Sequence, residues 1–137
     1  MIQTPSHQNI LIDGGPSPQA IDLELSKKLP FWDRTIDLMI STQSQADHIT
    51  GLVEVLKRYK VKQVLEPGVP YNSSIYHEWL ELVEEKQIKH DIARAGQEID
   101  LGNSIKLEIL NPPSEFFEGT SSDVDNNGVV LRLSSGE

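Results

Sequence analysis

The sequence contains no cysteine, which excludes disulfide bonds and thiolate metal sites and leaves His, Asp, Glu and water as ligands for any metal. It has no uninterrupted apolar run approaching the roughly 18 residues of a membrane-spanning helix, and no N-terminal stretch patterned as a signal peptide. Basic residues are in deficit: 12 Lys and Arg stand against 21 Asp and Glu, for a formal net charge of -9. Such a surface repels a phosphate backbone, and no stripe of Lys and Arg interleaved with aromatics offsets it. Lys57, Arg58, Lys60 and Lys62 form the basic cluster. It reads either as a solvated helix end that complements the helix dipole or as a local phosphate-facing patch.

What is present suffices for a core. A hydrophobic fraction of 37% over 137 residues fits one domain or part of one. Gln8 to Gly15 reads as a strand, built on Ile10-Leu11-Ile12, followed at once by a flexible turn at its paired glycines. Ser17 to Leu29 places Ile21, Leu25 and Leu29 on one helical stripe stopped by Pro30. Ile36 to Ile40 is a second strand, leading into the polar loop Ser41-Thr42-Gln43-Ser44-Gln45-Ala46-Asp47-His48. A helix follows with Ile49, Leu52, Val53 and Leu56 on its apolar face and Gly51 as a point of close packing. Val61 to Leu65 is a strand, Ser73 to Lys86 a helix buried through Ile75, Trp79, Leu82 and Val83, and Ile88 to Arg94 a strand. Glu98 to Gly102 reads as a tight connection, Ser104 to Leu110 and Val129 to Leu133 as strands, and Ser114 to Asn127 as loop. Alternating strands and helices predict a layered α/β fold.

Asp13 and the Asp47-His48 pair both follow predicted strands, where open α/β sheets collect ligands. Asp47 offers an oxygen and His48 an imidazole to a metal. Gln43 and Gln45 offer neutral amides, which are poor zinc ligands. Asp125-Asn126-Asn127 before Gly128 reads either as a turn or as a substrate-facing loop. His7, His77 and His90 have no suitably spaced partners, and Trp32 and Trp79 read as packing residues rather than stacking platforms.

The segments Leu11 to Gly15, Ile36 to Ile40 and Thr42 to Leu52 resemble the metallo-β-lactamase superfamily, whose metal loop reads Thr-His-x-His-x-Asp-His. Gln43 and Gln45 stand at the first two histidine positions, whereas Asp47 and His48 match the last pair. Asp-His-Ile-Thr-Gly-Leu, Asn111-Pro112-Pro113, Asp125-Asn126-Asn127 and Val129 to Leu133 are similar to the soluble domain of ComEC-type bacterial DNA uptake proteins. The resemblance implies an αββα sandwich of which residues 1–137 form a portion, without the initial strand and the C-terminal part. It implies Asp13, Asp47 and His48 as metal ligands, Asp47 also orienting water, with zinc or manganese as the metal of a complete domain. It further implies a parent membrane protein with the domain soluble, on either side of the membrane with the extracytoplasmic side the one named, and the rest of the transporter and DNA as partners.

Two functions follow as expectations. One is a noncatalytic or weakly metal-binding domain supporting DNA uptake; the other is a metal-dependent phosphodiesterase that degrades the strand not imported. Self-association through exposed sheet edges is a further expectation.

Overall fold

The computed structural model describes residues 1–69, 71–116, 118–119 and 127–135. Among these, three helices and three sheets form a mixed α/β fold. The largest sheet contains β1 (Ile2–Gln3), β2 (Asn9–Ile12), β4 (Leu38–Ile40), β6 (Gln63–Glu66) and β7 (Lys89–Ile92), in the spatial order β1-β2-β4-β6-β7. β1 runs antiparallel to β2, and the other neighbours are parallel. The connections carry α1 (Pro18–Lys28), α2 (Ala46–Arg58) and α3 (Ser74–Glu85). A second sheet is antiparallel, with β9 (Ile105–Asn111) between β8 (Glu98–Asp100) and β10 (Val130–Ser135). β3 (Thr35–Ile36) and β5 (Lys60–Val61) form a short parallel pair.

Side chains alternate across a strand, so each central strand serves two cores. Leu11, Met39 and Val64 join the helices in one cluster with Leu25, Ile49, Leu52, Leu56, Trp79 and Val83. Ile10, Leu38, Ile40 and Leu65 point the other way and pack with Leu107 and Ile109 of β9. The result is a helix layer, a central sheet and a second sheet. Each fully buried aliphatic side chain contributes about 1.5–3 kcal/mol. A one-residue slip of β4 would exchange its two faces and break both cores.

The helices start and stop where their sequences provide for it. Ser17 Oγ accepts from Ala20 N and Ser73 Oγ from Tyr76 N, each at 3.2 Å, satisfying a free amide of the first turn. Lys27 and Lys28 end α1, and Lys57 and Arg58 end α2, where positive charge suits the helix dipole. α2 lacks a side-chain cap at Gln45; its N-terminal end is held instead by the loop described below.

Three segments depart from the sequence expectation. The strand anticipated from Val61 to Leu65 is broken at Lys62, whose amide donates to Ile36 O at 3.0 Å; Val61 stays with β3 while Val64 and Leu65 pair with β4. The strand anticipated from Ile36 to Ile40 is broken at Asp37, whose amide donates to Asn9 O (2.9 Å) and whose carboxylate accepts from Asn9 N (2.8 Å). Ile36 can then pair with Val61 while Leu38 pairs with Ile10. The connection expected at Glu98–Asp100 is strand β8, because it finds β9 as an antiparallel partner.

Candidate functional site

Asp13 leaves β2 in the left-handed region (φ 56), a conformation that Asp adopts more readily than most side-chain-bearing residues. Its amide donates to Ile40 O at 2.8 Å, fixing it where β2 meets β4. The following glycines lie directly on α2. Gly14 N donates to His48 O and Gly51 N donates to Gly15 O, each at 2.9 Å. This backbone contact brings the end of β2 against the first turns of α2.

The Asp13 carboxylate is thereby surrounded by donors. Oδ1 accepts from Thr42 N at 2.8 Å, and Oδ2 accepts from Thr42 Oγ1 at 2.5 Å. His48 Nδ1 lies 3.0 Å from Oδ2 and 3.5 Å from Thr42 Oγ1. An ionised carboxylate only accepts, so Nδ1 is the donor in this pair, and in the neutral ring Nε2 then keeps its lone pair. The imidazole side chain is 31% exposed, the carboxylate 24%. A half-buried imidazole backed by a carboxylate can take up a proton, receive a ligand hydrogen bond or donate Nε2 to a cation.

Other residues of the loop are placed differently. Ser41 is buried and its hydroxyl donates to Gln43 O at 2.8 Å. Gln43 Oε1 is a buried acceptor with no partner among the described residues. Gln45 precedes α2, and Asp47 is exposed in its first turn. Asp13 and His48 are thus in contact, with Thr42 as an additional member that sequence reasoning did not single out. Among the described residues, no group of three or more His, Asp or Glu side chains gathers in a metal-holding arrangement. Asn127 is buried, and Val129 N donates to Thr42 O at 2.9 Å, joining this segment to the loop. Asp125 and Asn126 lie outside the described residues.

A second polar cluster lies at the end of β6. Glu66 is only 2% exposed. Its Oε2 accepts from Gly68 N at 2.8 Å and Tyr76 OH at 3.2 Å, and its Oε1 lies 3.0 Å from His90 Nε2. Burial and the adjacent Glu66 charge push the Tyr76 phenol up to about 12. Trp79 stacks with Tyr76 (6.3 Å between centroids) and meets His90 edge-on (5.9 Å). Sequence reasoning treated His90 as lacking a partner. Glu66 lies 24 positions away on the neighbouring strand; the available signal was a carboxylate after the apolar Val64-Leu65 and before Pro67-Gly68.

The basic cluster is largely ion-paired. Lys57 meets Glu78 at 2.9 Å, Lys62 meets Asp37 at 3.3 Å, and Arg58 pairs with Glu54 and Asp22. His7 has a positive φ of 64 and lines a concavity near Trp32.

Among the described residues these features define a layered α/β protein with two carboxylate–imidazole pairs at the central, mostly parallel sheet. No protein-family model matches the chain, and no curated protein does. Among solved structures it is similar to CmlA, a diiron beta-hydroxylase from Streptomyces venezuelae, at 18% identity and a TM-score of 0.46. That match covers 82% of this chain and 20% of the other, so the chain spans about a fifth of that protein's length.

Proposed function

We propose that the chain is a metallo-β-lactamase-like domain of a bacterial DNA uptake protein, noncatalytic or only weakly metal-binding, whose role is to contact other parts of the transporter. The helix–sheet–sheet layering supports reading it as part of an αββα sandwich. The observation carrying the functional reading is the state of Asp13: its carboxylate is engaged by Thr42 N, Thr42 Oγ1 and His48 Nδ1. These bonds make it an internal brace between β2, the β4–α2 loop and α2.

The donor set of this loop fits a two-cation centre poorly. Such a centre needs several anionic or imidazole ligands, whereas Gln43 and Gln45 supply amides and Asp47 faces outward from α2. In this reading the loop is held by hydrogen bonds, and no catalytic step is assigned to a metal. Among the described residues no helix is long and apolar enough to cross a membrane; in this reading membrane attachment is the work of the rest of the proposed parent.

The alternative, a metal-dependent phosphodiesterase, is favoured by one feature. His48 turns Nδ1 to a carboxylate and leaves Nε2 available, as metal-ligating histidines commonly do. Calorimetric titration with manganese and zinc, paired with cleavage assays on single-stranded DNA, separates the readings when made on the complete parent domain as well as on this chain. The expected result is no tight binding and no turnover, with affinity gained in the Gln43→His, Gln45→His double variant. Micromolar or tighter binding by the native chain, with DNA cleavage lost in Asp47→Ala, His48→Ala, overturns the noncatalytic reading.

A further inference from the structure

Between α1 and β3 the chain makes a tight turn, closed by Asp33 N donating to Pro30 O at 2.9 Å. The two central positions, which ordinarily favour small or polar residues, are Phe31 and Trp32. They are 85% and 75% exposed, and their rings meet edge-to-face at 5.0 Å. The turn is anchored on both sides. Leu29 before it is buried, and Asp33 after it accepts from the side chain of buried Asn9 at 3.0 Å and from Thr35 N at 3.3 Å. Arg34 is held over the Tyr59 ring at 4.4 Å and donates to Arg58 O at 3.0 Å. Two large aromatics are therefore presented to solvent on a braced support, which lowers the entropy lost when they bind.

The surroundings indicate the chemistry of the occupant. Trp32 forms one wall of a concavity of about 520 Å³ shared with Gln3, His7, Asn9 and Asp33. Asp33 is its one carboxylate, and among the described residues no Lys or Arg lines it. With a chain charge of -9, this setting disfavours phosphate. An indole face beside a carboxylate suits a guanidinium or ammonium group, and Phe31 supplies apolar surface for the stem of such a side chain.

We propose that the Pro30–Asp33 turn is a docking site for an arginine- or lysine-bearing segment of a partner protein. The cationic head lies on Trp32 beside Asp33, and the aliphatic stem packs against Phe31. The site is separate from the Asp13–His48 pair and does not depend on the function proposed above.

The probe is a short capped peptide containing arginines, compared with the same peptide carrying uncharged citrulline. The indole N–H resonances of the full chain report binding, because exposed Trp32 and buried Trp79 give distinct signals. The arginine peptide should shift the Trp32 signal saturably and the citrulline peptide should bind about two- to fivefold more weakly. Trp32→Ala should lose affinity by at least about fivefold, read from peptide resonances, with unchanged circular dichroism. Equal affinity for both peptides, or for native and Trp32→Ala proteins, overturns the proposal. So does a Trp32 shift produced by phosphatidylcholine vesicles, oligothymidylate or increasing protein concentration in place of the arginine peptide; these would assign the turn to a lipid surface, to nucleic acid or to a second copy.

Discussion

A Cβ on Gly51 would stand 2.0 Å from the carbonyl oxygen of Gly14. This backbone-to-backbone contact sets the distance between the end of β2 and α2, and with it the reach of Asp13 toward His48. Gly51→Ala should therefore be strongly destabilising even though alanine favours helices by about 1 kcal/mol over glycine. The expected net cost is about 3 kcal/mol, measured as a lower urea midpoint with an unchanged slope. Gly15→Ala, where an added Cβ meets nothing within 4 Å but φ is +72, should cost only about 1 kcal/mol. Equal effects of the two substitutions would count against the close-contact account.

Asp13→Asn should change the proton position on His48. The amide keeps an acceptor for Thr42 N and tolerates the left-handed backbone, but it turns a donor toward His48 Nδ1. The imidazole should then carry its proton on Nε2, visible in nitrogen-15 chemical shifts, at a stability cost of about 1–2 kcal/mol. An unchanged tautomer would show that Asp13 does not orient the ring.

Glu66→Gln tests the second cluster. A glutamine oxygen offers acceptance on one side of the group, where Gly68 N, Tyr76 OH and His90 Nε2 now share a carboxylate. Stability should fall by about 2–3 kcal/mol because a buried donor loses its acceptor. Amide exchange should accelerate across 66–76; a change confined to the His90 ring would mean that the cluster does not brace the β6–α3 connection.

Tyr76 predicts an alkaline limit. Its phenol is raised from 10.0 to about 12 by burial and by Glu66, so the unfolded chain loses this proton first as pH rises. Stability from the neutral phenol is fully present below the unfolded value of 10.0, declines from there toward about 12, and is lost above it. The decline should amount to about 3 kcal/mol. Chemical denaturation across that interval should show the slope in the native chain and a smaller one in Tyr76→Phe, which should also be about 1 kcal/mol less stable at neutral pH through loss of a donor to Glu66.

Much of the scaffold was legible because its signals are local. Ile49, Leu52, Val53 and Leu56 repeat at helical spacing and are buried together. The apolar run Ile10-Leu11-Ile12 is a strand, the run Val61 to Leu65 is strand on either side of a break at Lys62, and Gly51 interrupts an otherwise good helix because another backbone lies against it. The break at Asp37 was not legible. It depends on Asn9, which is 28 positions away.

The candidate site divides in the same way. Asp13 and His48 stand out as polar residues after apolar strands, yet their contact depends on two glycines, a left-handed aspartate and the Thr42 hydroxyl. Tyr76 and His90 carried no comparable signal, since each sits in an ordinary helix or strand pattern. The sequence by itself determined the three helices, their apolar stripes and the apolar stretches that enter the central sheet, because periodicity is a property of neighbouring residues; strand β8 and the breaks at Asp37 and Lys62 were set by partners distant in the chain. Only the tertiary structure decided that Asp13 braces His48 and Thr42, that Glu66 gathers Tyr76 and His90, and that Phe31 and Trp32 face solvent. Those outcomes depend on how residues distant in the chain meet when β2, β4, β6 and β7 align side by side.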